Sequence, residues 1–128
     1  MVIASSAIII KDKKILLIKR SNYTTAYPEY WGFPAGRAKE NESPEENVIR
    51  EVKEETNLNF EPLELIKTGY EYKCRKFYCF YGNWSGDIKI QEEEVSDWNW
   101  FSYEEAIKLK LAFDYKEVIE ILHEKNLL

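Results

Sequence analysis

No run of apolar residues in the chain approaches the roughly 20 that a bilayer-spanning helix needs. The one apolar stretch near the start, Val2 to Ile10, lacks the basic flank of an export signal and reads as a strand. Neither a membrane span nor export is expected. Basic charge is also scarce: 18 Lys and Arg against 23 Asp and Glu leave a formal net charge of −5, without the basic patch that a nucleic-acid polymer demands. A small phosphorylated ligand stays compatible, because a bound divalent cation inverts the local field of an acidic site. Cysteine is limited to Cys74 and Cys79, spaced as neither a CxxC pair nor a zinc pattern, and the two read as buried reduced thiols of a cytosolic protein. The single histidine, His123, falls in a C-terminal helical segment and reads as structural or surface. Internal repeats, linkers, low-complexity tracts and an EF-hand loop are all missing. With 128 residues and 45% hydrophobic content, one domain over residues 1–128 is expected, located in the cytoplasm.

What the chain has in abundance is glutamate, and its arrangement between Gly36 and Leu58 is specific. Glu51, Glu54 and Glu55 are spaced i, i+3, i+4, which puts three carboxylates on one face of a helix about a turn apart. Hard cations such as Mg²⁺ prefer carboxylate oxygen and neutralise such a cluster; a solvated acidic face is the alternative that the triplet alone leaves open. The helix itself is well marked. Ser43 as N-cap, Pro44 at the first helical position and Glu46 three residues after the cap make a capping box, while Asn57 suits a left-handed stop. Val48, Ile49, Val52 and Thr56 form an apolar stripe opposite the acids, so one buried side and one acidic side are expected. Before the helix, Trp31-Gly32-Phe33-Pro34-Ala35-Gly36 reads as a strand running into a polar loop, Arg37 to Glu42. That loop can bring backbone carbonyls and the Glu42 side chain toward the acidic face.

At these residues the chain resembles the Nudix hydrolases, whose signature is G-x5-E-x7-R-E-U-x-E-E-x-G-U with U a bulky aliphatic residue. Gly36, Glu42, Arg50, Glu51, Val52, Glu54, Glu55 and Leu58 match eight of the nine defined positions, and Asn57 stands in place of the last Gly while keeping the left-handed capability. The resemblance implies an α/β/α sandwich with a central mixed sheet and Mg²⁺-dependent hydrolysis of a nucleoside diphosphate linked to another group, with Mn²⁺ a possible substitute. It implies metal ligands among Glu51, Glu54 and Glu55, the Ala35 or Gly36 carbonyl, and Glu42. Glu51 is the first choice of general base, Glu94 the second and Glu93 the third. Arg50 reads as a clamp that orients the carboxylates.

Outside this box the pattern is coarser. Val2 to Ile10 and Lys14 to Arg20 read as strands, Ser21 to Tyr30 as a loop, Leu63 to Lys73 and Lys76 to Trp84 as a meander with a turn at Cys74-Arg75. A turn at Ser85-Gly86-Asp87 precedes Ile88-Lys89-Ile90, Trp98 to Phe101 is a last strand, and helices are expected over Tyr103–Lys110 and Asp114–Lys125. Arg20, Arg37 and Lys39 are candidates for substrate phosphate, each equally readable as a solvated surface charge. Tyr30, Trp98 or Trp100 could stack on a base, and Asp97 and Asn99 could bond its edge or simply face water. Among the family's substrates a nucleoside triphosphate comes first, because the chain is short and carries WGFPAG before the box. A dinucleoside polyphosphate follows, suggested by Trp100-Phe101 and Glu104-Glu105-Ala106, and ADP-ribose or a nucleotide sugar is third. The alternative of another class is a module that binds a nucleotide without cleaving it. Monomer and homodimer both stay open.

Overall fold

The structure, a computed structural model, describes residues 1–71 and 74–128. In chain order the elements are β1 (Val2–Ile8), β2 (Ile10–Lys11), β3 (Lys14–Arg20), β4 (Trp31–Gly32), β5 (Ala35–Arg37), α1 (Pro44–Thr56), β6 (Asn59–Glu71), β7 (Arg75–Ser85), β8 (Val95–Phe101), α2 (Tyr103–Ala106) and α3 (Tyr115–Glu124). They fall into two compact units, Met1–Ile9 with Pro34–Lys89, and Ile10–Phe33 with Ile90–Leu128. No helix of the described residues is long and apolar enough to cross a membrane.

The first unit holds a mixed sheet in the order β5-β1-β7-β6. β6 and β7 form the expected antiparallel pair, but β7 also runs parallel to β1, from Val2 opposite Arg75 to Ile8 opposite Tyr81. The simple meander is therefore corrected: β7 lies between β1 and β6, and only a long-range pairing decides that. Residues 72 and 73, read as the end of the strand over Leu63–Lys73, lie outside the described residues. Residues 88–90 form no strand; the Lys89 N–H donates instead to the Thr56 carbonyl at 2.9 Å.

Local chemistry sets the ends of α1 as the sequence suggests. Ser43 sits at φ −70°, ψ 160° with its Oγ accepting the Glu46 N–H at 3.1 Å, and Glu46 Oε1 accepts the Ser43 N–H at 2.9 Å. Asn57 ends the helix in the left-handed region at φ 67°, ψ 5°, its N–H bonded to the Lys53 carbonyl. The orientation of the helix differs from expectation. Val48, Val52 and Thr56 are buried, but Ile49 is 42% exposed, while Glu51 and Glu55 are only 8% and 6% exposed. Two of the three acids thus share the buried side, and only Glu54 stays on the open one, its side chain 47% exposed.

In the second unit β2 and β4 share one edge of β3, near its two ends, and β8 takes the other. Ile15 to Ile18 are all buried, a continuous apolar run of the kind found where both faces of a strand are covered. The apolar run read as one strand to Ile10 breaks after Ile8, because Ile10 and Lys11 pair with β3 rather than continuing the β1 ladder. β8 begins at Val95, earlier than the sequence suggested, and α2 stops at Ala106 instead of Lys110. Its end has a long-range cause: Trp31 donates to the Lys110 carbonyl and accepts from the Ala112 N–H, which requires extended backbone there.

Ser43→Ala removes one half of the capping box and should lower the unfolding free energy by about 1 kcal/mol. Urea denaturation checks this, and a midpoint shift indistinguishable from zero would mean that the cap does not hold α1.

Candidate functional site

The polar side of the first unit is organised by one guanidinium. Arg50, on α1, donates through Nε to Glu42 Oε2 at 2.8 Å and through Nη2 to Glu42 Oε1 at 3.0 Å, a fork-to-fork pairing. Its Nη1 reaches Glu51 Oε1 at 2.9 Å and Glu54 Oε2 at 3.1 Å, and Nη2 also donates to the Arg37 carbonyl at 2.9 Å. One side chain therefore ties the loop after β5 to two acids of the helix. Glu42 accepts in addition from the Lys39 N–H at 2.9 Å, which folds the loop back on itself. Charge follows geometry. The Glu42 carboxyl is held at about 2, against an ordinary 4.5, chiefly by the Arg50 hydrogen bonds, and the same bonds push the Arg50 guanidinium still further up.

Glu51 and Glu55 stand one helical turn apart with carboxylate oxygens within 4.8 Å of each other. Glu55 Oε1 accepts the Ala35 N–H at 2.8 Å. Gly36 lies against the Glu51 carboxylate so closely that any side chain there would collide with it. A side chain here would displace the Glu51 carboxylate from its place on Arg50, so the glycine serves space rather than φ, and pairing of β5 with β1 sets Gly36 opposite Ser5.

A solvated acidic face is excluded, because two of its carboxylates are buried. Two buried like charges at this separation oppose each other unless a positive charge intervenes. Arg50 is a single positive charge, and it already faces Glu42, Glu51 and Glu54. An all-oxygen donor set one turn apart on a helix fits a hard cation such as Mg²⁺.

The other sequence-selected residues are placed as follows. Glu42, a possible ligand, faces Arg50 with both oxygens. Arg37 and Lys39 are exposed, and the contacts seen are those of their backbones, the Arg37 carbonyl on Arg50 and the Lys39 N–H on Glu42. Arg20, Tyr30, Glu93, Glu94, Asp97, Trp98, Asn99 and Trp100 all belong to the second unit. There Arg20 Nε donates to the Ala26 carbonyl at 2.9 Å and its guanidinium lies 5.5 Å from the Phe113 ring centre, so it orders the loop that follows β3. Lys110 sits 4.5 Å over the Tyr30 ring. Ser21 donates to the backbone of two acids, N–H to the Glu94 carbonyl and Oγ to the Glu93 carbonyl. On β8, Asp97 Oδ1 accepts the Trp98 N–H at 2.7 Å and Asn99 Oδ1 accepts the Trp100 N–H at 2.8 Å. Those two oxygens satisfy the strand's own backbone. Sequence reasoning passed over Asn47, which is fully buried, although its spacing to Glu51 and Glu55 was visible.

Comparison with known proteins agrees with the geometry. The model of the NUDIX domain matches residues 2–122, which takes in most of both units. An 8-oxo-dGTP diphosphatase of Buchnera aphidicola is 36% identical over 97 residues, 71% of each chain. An asymmetrical bis(5'-nucleosyl)-tetraphosphatase of Caenorhabditis elegans is 27% identical over 132 residues, covering 95% of this chain and 93% of that one. The crystal structure of a MutT NUDIX hydrolase from Burkholderia pseudomallei superposes with a TM-score of 0.83 at 22% identity, over 94% of this chain and 96% of that one, a likeness of fold. Other curated relatives are much longer, and the chain spans only 31%, 40% and 37% of the length of three of them.

The Glu42 carboxyl gives a pH test whose sign is fixed. A carboxyl held below its unfolded value stabilises the fold fully above 4.5, and that contribution is lost as the pH falls toward 2. In metal-free protein, the stability difference between wild type and Glu42→Gln, read by denaturant unfolding, should shrink steadily through this window. A difference that stays constant there would contradict the Arg50–Glu42 pairing.

Proposed function

The chain belongs to the Nudix hydrolase family, and on that premise we propose that it is a divalent-cation-dependent hydrolase opening the diphosphate linkage of a nucleoside diphosphate joined to a further group. A nucleoside triphosphate is the substrate class we favour, giving a nucleoside monophosphate and pyrophosphate, with residues 1–128 acting as one domain. The observation that carries this reading is the pair of buried carboxylates, Glu51 and Glu55, one of them packed into the space left by the missing side chain of Gly36.

Glu51 and Glu55 would hold Mg²⁺, or Mn²⁺ in its place, with Glu54 beside them. A bound ion of this kind neutralises phosphate charge and makes water more acidic. Arg50 keeps Glu51 and Glu54 turned to a common side, and Glu42 keeps Arg50 in place, which we take as its role in preference to binding metal. Attack by water forms a new phosphorus–oxygen bond, the bridging phosphorus–oxygen bond breaks, and the bridging oxygen leaves with the pyrophosphate. The proton released from the water passes to a carboxylate, Glu51 first and Glu94 second. Arg20, Arg37 and Lys39 supply the positive charges available to a polyphosphate. Trp98 with Asp97 and Asn99 offer an aromatic surface and polar atoms to a base.

The likeness to the 8-oxo-dGTP diphosphatase supports the triphosphate. A dinucleoside polyphosphate is the second reading, favoured by the near full-length match to the tetraphosphatase. One panel of nucleoside triphosphates, dinucleoside polyphosphates and ADP-ribose, assayed with Mg²⁺ and resolved by chromatography, decides between them. We expect monophosphate and pyrophosphate from a triphosphate, abolished by a chelator. No turnover of any compound, together with nucleotide binding indifferent to Mg²⁺, would replace the enzyme with a binding module.

A further inference from the structure

The buried positions of α1 fall into two neighbouring rows, each advancing by four residues. Val48, Val52 and Thr56 form the packing row. Asn47, Glu51 and Glu55 form the other, so the two acids of the candidate centre continue a polar row that Asn47 heads. Asn47 is 0% exposed, and among the described residues neither its Oδ1 nor its Nδ2 has a hydrogen-bond partner. It lies in the seven-residue spacer between Glu42 and Arg50, where the family signature specifies no residue type.

A carboxamide buried with both polar ends unbonded to protein weakens the fold, and an apolar residue at the same place in the helix would be more stable. Two features connect this position with the acids. Asn47 and Glu51, four residues apart and both buried, lie on the same face of α1 one turn apart. The floor of this turn is polar as well: the buried Ser5 hydroxyl donates to the Pro44 carbonyl at 3.0 Å, and Ser5 is paired with Gly36, the glycine in front of Glu51.

We propose that Asn47 is a positioning residue, whose carboxamide holds a buried water that in turn hydrogen-bonds the Glu51 carboxylate and fixes its orientation toward the cation. Residues four apart on a helix have Cβ atoms about 5–6 Å from each other, a span that one water bridges. The water accepts from Nδ2 and donates to the carboxylate, joining a neutral donor to a charged acceptor. Buried waters characteristically serve polar groups that lack protein partners. This inference rests on reading the acidic row as a cation site.

Asn47→Ala tests it in the full chain. The melting temperature of the metal-free variant should be unchanged or raised, since alanine is the better helix former and leaves no buried amide. Mn²⁺ affinity, measured by calorimetry, should nevertheless fall about tenfold, and kcat should fall by a similar factor with KM unchanged. Wild-type crystals should show a water within hydrogen-bonding distance of both the Asn47 carboxamide and the Glu51 carboxylate, missing in the variant. Unchanged Mn²⁺ affinity in the variant would overturn the proposal, whether its melting temperature rises or falls, and so would wild-type density without that water. If wild-type protein itself bound no Mn²⁺, the cation reading would fail on its own, and the density at Asn47 would still decide the water site.

Discussion

Burying two carboxylates beside each other on one row of a helix is the constraint to which the first unit answers. Each must keep strong hydrogen bonds, because an ionised group taken out of water without partners is costly. Glu55 takes the Ala35 N–H and Glu51 takes an Arg50 N–H. Arg50 in turn is gripped by Glu42, and Glu42 orders the loop through Lys39. Gly36 has no side chain, because the Glu51 carboxylate needs that space. These residues are scattered from Ala35 to Glu55, yet each is explained by the needs of the same two acids.

The ends of α1 were legible because capping depends on residues within three or four positions of each other. Ser43, Pro44, Glu46 and Asn57 carry that information locally, and the structure uses all of it. Which way the helix faces was not legible in the same way. Hydropathy puts Ile49 inside and glutamates outside, and it cannot see that Arg50 and the backbone of β5 make burial of Glu51 and Glu55 tolerable. Functional sites are where local rules are expected to give way to tertiary demands. The placing of β7 between β1 and β6, and the early end of α2 at the Trp31 bridge, also come from pairings between distant segments.

Residues for substrate were the least legible, for a related reason. Arg20, Asp97 and Asn99 have the chemistry to contact a nucleotide, but a sequence does not reveal how much of that chemistry is already engaged. Arg20 is bonded to the loop after β3, and Asp97 and Asn99 each give one oxygen to the strand they sit on. Asn47 shows the converse: an unremarkable polar residue in a helix becomes informative only once its burial, and its lack of partners among the described residues, are known.

The proposed function requires the acidic row of α1 to chelate a divalent ion. Crystals soaked in manganese and measured at a wavelength where it scatters anomalously address it without reference to any substrate. A peak bonded to carboxylate oxygens of both Glu51 and Glu55 is the result that the buried pair requires. Featureless anomalous density there, with both side chains still in place and Arg50 still joining Glu42 to Glu51, would contradict it.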